Sequence, residues 1–198
     1  MKTLLRIDAS IRQEQSHSRQ LAAHFQTRWL QKTPGGNIIY RDLAKDAPPH
    51  ISRQLIDAFF AENGDPHLLA LSDQFIAEWK AGDTILISTP MYNLSFPSTL
   101  KAYIDHLVRI NQTFAYVPGS GYKGLLQGKQ AVIIIAKGGF YKGVGQAPPD
   151  FLGKYLEGML RFMGIEEIQL FVMEGTQSPD HAAVAMPEVK EEIDGFLV

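Results

Sequence analysis

The feature of this sequence that most constrains its fold is a regular alternation of short apolar runs with segments of helical periodicity. The apolar runs lack strict alternation with polar residues, which is typical of strands covered on both faces; they are residues 4–7, 37–40, 84–88, 131–136 and 168–173. Between the runs, apolar residues recur every three or four positions, as at Leu21, Phe25 and Trp29. Five strands alternating with five helices predict an α/β fold, a doubly wound parallel sheet with helices on both faces.

Composition limits the classes of function that the chain supports. At 198 residues and 45% hydrophobic content, residues 1–198 are expected to form a single domain. A net charge of −2 gives no electrostatic case for nucleic acid or a membrane surface. The absence of cysteine excludes thiolate nucleophiles, iron–sulfur clusters and cysteine-ligated zinc, and the six histidines lack metal-binding spacing. The longest apolar run is strand-sized and the N-terminus resembles no signal peptide, so we expect a cytoplasmic protein outside the membrane.

Three loops are predicted to meet at one edge of the sheet. In an open α/β sheet, ligands bind beyond the carboxyl ends of the strands, near the point where the strand order reverses. With the order 2-1-3-4-5, that point lies between the first and third strands, next to the fourth. The loops after these strands are residues 9–19, 89–95 and 136–143.

The first of these loops carries hydroxyl groups where the first helix begins. Ser10, Ser16 and Ser18 lie beside the free N–H groups of a helix N-terminus, an arrangement that binds phosphate. His17, between two serines, would contribute mainly its backbone N–H. One such serine alone would more simply be a helix N-cap.

The other two loops combine bulky side chains with accessible backbone. Residues 90–94 would present backbone N–H and C=O groups to the edge of a flat ring and wall it with side chains; they are Pro90, Met91, Tyr92, Asn93 and Leu94. A buried packing turn is the alternative. After the fourth strand, the pair Gly138 and Gly139 permits close backbone approach to a ligand, or forms an ordinary glycine turn.

With these loops assembled, the chain resembles the FMN-dependent NADH azoreductases, which are flavodoxin-like and related to the NAD(P)H:quinone reductases. The resemblance runs nearly end to end and is carried by Ser10, Ser16 and Ser18 and by the motifs RDLA (41–44), PMYN (90–93), GG (138–139), TFAY (113–116) and EG (174–175). The family usually has Ser-Arg before the glycine pair, where this chain has Ala136 and Lys137.

The resemblance implies a cofactor, an activity and an assembly. One FMN per subunit would lie across the three loops, and NADH or NADPH would reduce it before a quinone or azo compound is reduced in a ping-pong cycle. Gly138 and Gly139, with Lys137, would stabilise negative charge on the ring. No catalytic side chain is required. The family forms homodimers, and the aromatic candidates for the acceptor pocket are Tyr116, Tyr122, Phe140 and Phe162, each of which would otherwise be a packing residue.

Other functions fit the sequence less well. A flavodoxin-type electron carrier that needs a partner reductase is the main alternative, although such carriers tend to be strongly acidic. A flavin-free regulator would use Asp8 as a phosphorylation site and leave the serine loop without a role. The segment 119–124 matches G-x-G-x-x-G, but a strand follows it and not a helix, so we interpret it as a flexible loop and not a dinucleotide fingerprint.

Overall fold

The computed structural model describes residues 1–141 and 150–197. Its strands are β1 (Thr3–Asp8), β2 (Asn37–Asp42), β3 (Thr84–Pro90), β4 (Phe114–Val117), β5 (Gly121–Gly124), β6 (Gln130–Ala136) and β7 (Glu167–Met173). Its α-helices are α1 (His17–Lys32), α2 (Arg53–Phe60), α3 (Pro66–Ala81), α4 (Ser98–Leu107), α5 (Leu152–Phe162) and α6 (Pro179–Phe196). A short 3₁₀ turn, Gln13–Gln15, precedes α1.

Five of the strands form one fully parallel sheet in the order β2-β1-β3-β6-β7. The five predicted apolar runs all lie within these strands. The order differs from the expected 2-1-3-4-5 in that two additional strands, β4 and β5, intervene along the chain between β3 and β6. They form a separate antiparallel hairpin.

Two ordered elements of the structure were not predicted from the sequence. The interpretation of residues 119–124 as a loop was wrong, because they form the hairpin turn and all of β5. The proline-rich connection 44–66 contains α2, which was not predicted. Ser52 caps this helix by accepting a hydrogen bond from the Leu55 amide at 3.2 Å.

Each face of the sheet has its own apolar core, because successive side chains of a strand point to opposite faces. On one face, Leu86 and Ile134 pack with Phe25 of α1 and Ile193 of α6. On the other face, the neighbouring strand residues pack against helices α3, α4 and α5; they include Ile85, Ile87, Ile133 and Ile135, with Trp79, Tyr103 and Leu156. This arrangement leaves the carboxyl edge of the sheet to the loops.

Backbone pairing continues from the strands into the loops at that edge. The Ala9 amide donates to the Ser88 carbonyl at 2.9 Å, and the Met91 amide donates to the Ala136 carbonyl at 2.8 Å. These bonds fix the starts of the loops after β1, β3 and β6 relative to one another. The three segments predicted to meet are therefore held side by side.

Candidate functional site

A cavity of about 200 Å³ lies where the loops after β1, β3 and β6 converge. Most of the predicted cofactor-binding residues line it, namely Ser10, Ser16, His17, Pro90, Met91, Tyr92, Ala136 and Gly138. Four further lining residues were not predicted, namely Arg12, Gln15, Thr176 and Gln177. The last two belong to the loop after β7, directly behind the EG motif, so that motif was the available signal for them.

The first loop combines a helix cap with unpaired donors. The Ser16 hydroxyl accepts from the Arg19 amide at 3.4 Å, so Ser16 is the N-cap of α1, and it lies 3.1 Å from the Ser18 hydroxyl. Ser18 itself is fully buried and is not among the residues that line the cavity. The amides of His17 and Ser18 have no acceptor within the described residues. The N-cap and the phosphate-binding interpretations are therefore compatible, since the cap leaves two N–H donors unused.

The loop after β3 makes a two-residue turn whose backbone is constrained. Tyr92 and Ser95 exchange both backbone hydrogen bonds, at 2.7 and 2.9 Å. Asn93 and Leu94 between them have φ of 49° and 64°. Two successive residues with positive φ identify a type I′ turn, in which leucine is unfavourable. This turn places Met91 and Tyr92 on the cavity wall, whereas Asn93 and Leu94 lie at its exposed tip.

The loop after β6 is held by the loop after β7. The Thr176 amide and hydroxyl both donate to the Lys137 carbonyl. The Gln177 amide donates to the Gly138 carbonyl at 3.2 Å, and the Gly175 amide donates to the Gly139 carbonyl at 3.0 Å. The amides of Gly138 and Gly139 have no acceptor among the residues that the structure describes. A Cβ at Gly138 would lie 3.0 Å from Gln177 Cγ, so this position is closely packed as well as open to the cavity.

The lining of the cavity favours an anion. None of its described lining residues is acidic, and the guanidinium of Arg12 makes no ion pair with any described residue. Burial and, secondly, the charge of Arg12 lower the pKa of His17, so this imidazole is biased toward its neutral form. The Nδ1 atom of His17 is buried and lacks a partner in the described part of the chain.

Lys137 does not line this cavity, contrary to the expected role of its side chain. Its ammonium group is 2.6 Å from the Asp150 carboxylate and 3.2 Å from that of Glu174, and it lies over the ring of Tyr141. Its amide donates to the Met173 carbonyl at 2.8 Å. The physical reason is the nearby pair of carboxylates, which gives a buried lysine the compensation it needs. Lys137 and Phe140 instead line a separate cavity beside β7 and α6.

The predicted acceptor-pocket aromatics lie away from the cavity of their own chain. Tyr116 and Tyr122 are 57% and 66% exposed on the β4–β5 hairpin, with ring centroids 5.7 Å apart. Phe162 packs against Tyr122 at 5.7 Å. Phe140 is half exposed and packs edge-on against His181 at 4.8 Å. Their role in a pocket completed by a second subunit stays a prediction.

Asp8 is unsuited to the phosphorylation expected of a regulator. Its side chain is fully buried and accepts hydrogen bonds from the Ser88 hydroxyl at 2.7 Å, from Tyr40 at 3.0 Å and from Arg6 at 2.7 Å. Phosphoryl transfer needs an accessible carboxylate, so the geometry disfavours that reading.

The described residues contain no cluster of His, Cys, Asp and Glu side chains placed to hold a metal ion. No described helix is long and apolar enough to cross a bilayer.

The fold and the cavity together define a class: flavodoxin-like α/β proteins with a cavity at the switch point of a five-stranded parallel sheet. The sequence profile of the flavodoxin-like fold family matches residues 1–197. The chain therefore belongs to this family.

Several relatives and solved structures are similar to this chain over most or all of its length. An FMN-dependent NADH:quinone oxidoreductase of Hydrogenovibrio crunogenus is 44% identical over 207 residues, which cover 100% of both chains. One from Xanthobacter autotrophicus is 45% identical over 177 residues, covering 86% of this chain and 85% of the relative. The crystal structure of an azoreductase from Bacillus anthracis has a TM-score of 0.90 at 27% identity, covering 100% of this chain and 99% of that one. An FMN-dependent NADH-azoreductase from the same species, solved in complex with FMN, has a TM-score of 0.84 at 26% identity with full coverage of both chains.

Proposed function

We propose that this protein is an FMN-dependent NAD(P)H oxidoreductase that reduces quinones or azo compounds by two electrons. The observation that carries the proposal is the cavity itself, where three loops of the switch point converge. Among the described residues, its lining has no acidic side chain, and the loops carry amide donors without an acceptor. The names of the relatives and of the FMN-bound neighbour support the same cofactor and activity.

The residues present fit FMN. A phosphate dianion suits the unused amides of His17 and Ser18, the Ser10 and Ser16 hydroxyls and the nearby charge of Arg12. The wall formed by Met91 and Tyr92 suits a flat ring.

FMN, when bound, would supply the two-electron redox chemistry that no side chain of this protein offers. The protein would bind and orient it. Because the N–H groups of Gly138 and Gly139 have no acceptor in the part of the chain that the structure describes, they would be available to stabilise negative charge on the bound ring. Lys137 has no part in this role, since its ammonium group is engaged by two carboxylates.

We further propose that the active form is a homodimer, with residues 1–198 of each copy acting as a single domain in the cytoplasm. Support for the dimer comes from an apolar groove formed by α2, the end of α4 and the hairpin, where Phe60 is 73% exposed. A second copy would cover this groove and bring hairpin residues such as Tyr116 and Tyr122 toward the first copy's cavity. A monomeric sedimentation profile with full activity would refute the dimer.

The proposal is tested first by purification. The protein should be yellow, release FMN on denaturation, and oxidise NADH with a quinone without a partner reductase. That last result separates an enzyme from a flavodoxin-type carrier. The net charge of this chain, −2, is also atypical of such carriers, which tend to be strongly acidic. A colourless protein that cannot be reconstituted with FMN would refute the proposal.

A matched pair of cap variants localises the phosphate. Ser16→Ala and Ser52→Ala each remove one helix cap, which costs roughly 0.5–2 kcal/mol of stability. Only Ser16 lines the cavity. We therefore expect similar losses in urea stability but weaker FMN binding in Ser16→Ala alone, and equal FMN affinities would place the phosphate elsewhere.

A further inference from the structure

A buried arginine, Arg19, connects the loop after β1 to the parallel sheet. Arg19 lies in the first turn of α1, is 8% exposed, and is not among the residues lining the cavity. Its Nε and Nη2 atoms both donate to the Ser10 carbonyl, at 3.0 and 2.7 Å. Its Nη1 and Nη2 atoms donate to the two carboxylate oxygens of Asp42, at 2.8 and 2.6 Å. One side chain therefore ties the loop after β1 to the end of β2.

The contact with the Ser10 carbonyl fixes the loop backbone. A trans peptide is planar, and its N–H points opposite to its C=O, so holding the Ser10 carbonyl also fixes the direction of the Ile11 amide. On the other side of the same residue, the Ser10 hydroxyl accepts from the Arg12 amide at 3.3 Å. Ser10 is thus held at both its carbonyl and its side chain while it lines the cavity.

Two further polar side chains, Tyr40 and Asp8, hold Arg19 in place. Tyr40 Oη accepts from Arg19 Nη1 at 3.1 Å and donates to the fully buried Asp8 carboxylate at 3.0 Å. Burial first, and then the charge of Asp8, raise the pKa of Tyr40 to about 12, so it remains a neutral donor. The hydrogen bond with Asp42 raises the pKa of Arg19, against the effect of burial.

A buried ionic network of this kind is costly to desolvate and contributes little net stability compared with apolar packing. Only the planar fork of an arginine can reach a carbonyl and both oxygens of a carboxylate at once, so the geometry is specific as well as costly. The network ends at the backbone of the loop that lines the cavity, which assigns it a role in shaping that loop.

We propose that Arg19 is a positioning residue for the phosphate site: it holds the loop of residues 10–16 in the conformation that binds the phosphate of FMN, without touching the phosphate. This inference rests on the proposed function. It concerns the binding of the phosphate group and leaves the contacts of the ring unchanged.

The test compares FMN with riboflavin, which lacks the phosphate. The affinities of the apoprotein for both are measured by quenching of flavin fluorescence, with circular dichroism to check folding. Arg19→Lys keeps the charge but loses the fork. We expect the FMN affinity of this variant to fall about ten- to a hundred-fold, which corresponds to the loss of about one charge-assisted hydrogen bond between the loop and the phosphate. Its riboflavin affinity should stay within about twofold of that of the unsubstituted protein.

The control is Arg28→Lys, on the same helix, where Arg28 is 39% exposed and pairs with Asp194 at 2.9 Å. It should leave both affinities unchanged. An unchanged ratio of FMN to riboflavin affinity in Arg19→Lys would overturn the inference, because charge alone would then suffice. If Arg19→Lys does not fold, the test is made with Asp42→Asn, which weakens the two hydrogen bonds between Arg19 and residue 42. A reduced ratio of FMN to riboflavin affinity in that variant supports the inference, and an unchanged ratio overturns it.

The two proposals fail differently. If the unsubstituted protein binds FMN no better than riboflavin, the proposed phosphate site is wrong, and the inference about Arg19 falls with it. If the unsubstituted protein prefers FMN and Arg19→Lys keeps that preference, only the inference about Arg19 is wrong.

Discussion

Replacing Lys137 by methionine should lower the stability of the protein but leave its FMN affinity and the midpoint potential of the flavin unchanged. The Lys137 side chain is 4% exposed and lies 2.6 Å from the Asp150 carboxylate and 3.2 Å from that of Glu174. Removing one partner of a buried ion pair costs about 3–5 kcal/mol. The Asp150 side chain is 32% exposed and would regain hydration, so we expect a loss of about 2–3 kcal/mol. For a chain of this size, that lowers Tm by about 4–12 °C.

The same variant should bind FMN with unchanged affinity and potential, because the Lys137 side chain does not line the cavity. If Lys137 instead donated to reduced FMN, its loss would remove a charge-assisted hydrogen bond of about 1.5–3 kcal/mol and lower the two-electron midpoint potential by about 30–65 mV. The assays are urea unfolding of the apoprotein and a reductive titration of the holoprotein.

Lys154→Met is the matched control. Lys154 is an exposed residue of α5 that makes no ion pair with any described residue, so its replacement should change neither stability nor potential. A fall of the stated size in the potential of Lys137→Met, absent from Lys154→Met, would refute the assignment of Lys137 to a structural role.

Three further predictions concern the walls of the cavity. Leu94→Gly relieves a φ of 64° and should raise the free energy of unfolding by about 0.5–1 kcal/mol in urea; a loss would contradict the type I′ turn. His17→Gln should reduce the fall in the free energy of unfolding between about pH 7 and about pH 5. The folded-state pKa of His17 lies below its ordinary 6.5, so the unfolded chain binds more protons than the folded chain as the pH falls. Equal pH slopes of the free energy of unfolding in the variant and the unsubstituted protein would contradict this. Gly138→Ala should push Gln177, 3.0 Å from the added Cβ; combining it with Gln177→Ala should recover the lost urea stability, and no recovery would exclude that contact.

The strands of the sheet were predictable because their signal is local. A strand buried on both faces must be continuously apolar, and each predicted run lies inside an observed strand, as 131–136 lies inside Gln130–Ala136. Helix α2 was hidden because Pro48 and Pro49 dominate its surroundings, although Ser52 carried a cap signal. The hairpin was missed because its turn glycines, Gly119 and Gly121, resemble any loop.

The site was predictable where it depends on chain topology and not where it depends on partners chosen in three dimensions. Adjacent parallel strands bring their following loops together, so Ser16 and Met91 could be placed at one edge of the sheet in advance. The engagement of Lys137 could not, because its two carboxylate partners lie 13 and 37 residues away in sequence. The contact of Arg19 with Asp42 is likewise non-local, although Asp42 belongs to the RDLA motif and Arg19 directly follows Ser18.

The main-chain character of the site explains how the fold can be kept at low sequence identity. The amides of His17, Ser18, Gly138 and Gly139 have no acceptor among the described residues, and their positions are set by a helix cap and by pairing between loops. Side chains act mostly one layer further out, as the N-cap of α1 and as the fork of the buried arginine. A TM-score of 0.90 at 27% identity is what such a division predicts, because backbone geometry can be kept by many sequences. By the same reasoning, a different dipeptide before the glycine pair should alter stability sooner than flavin binding.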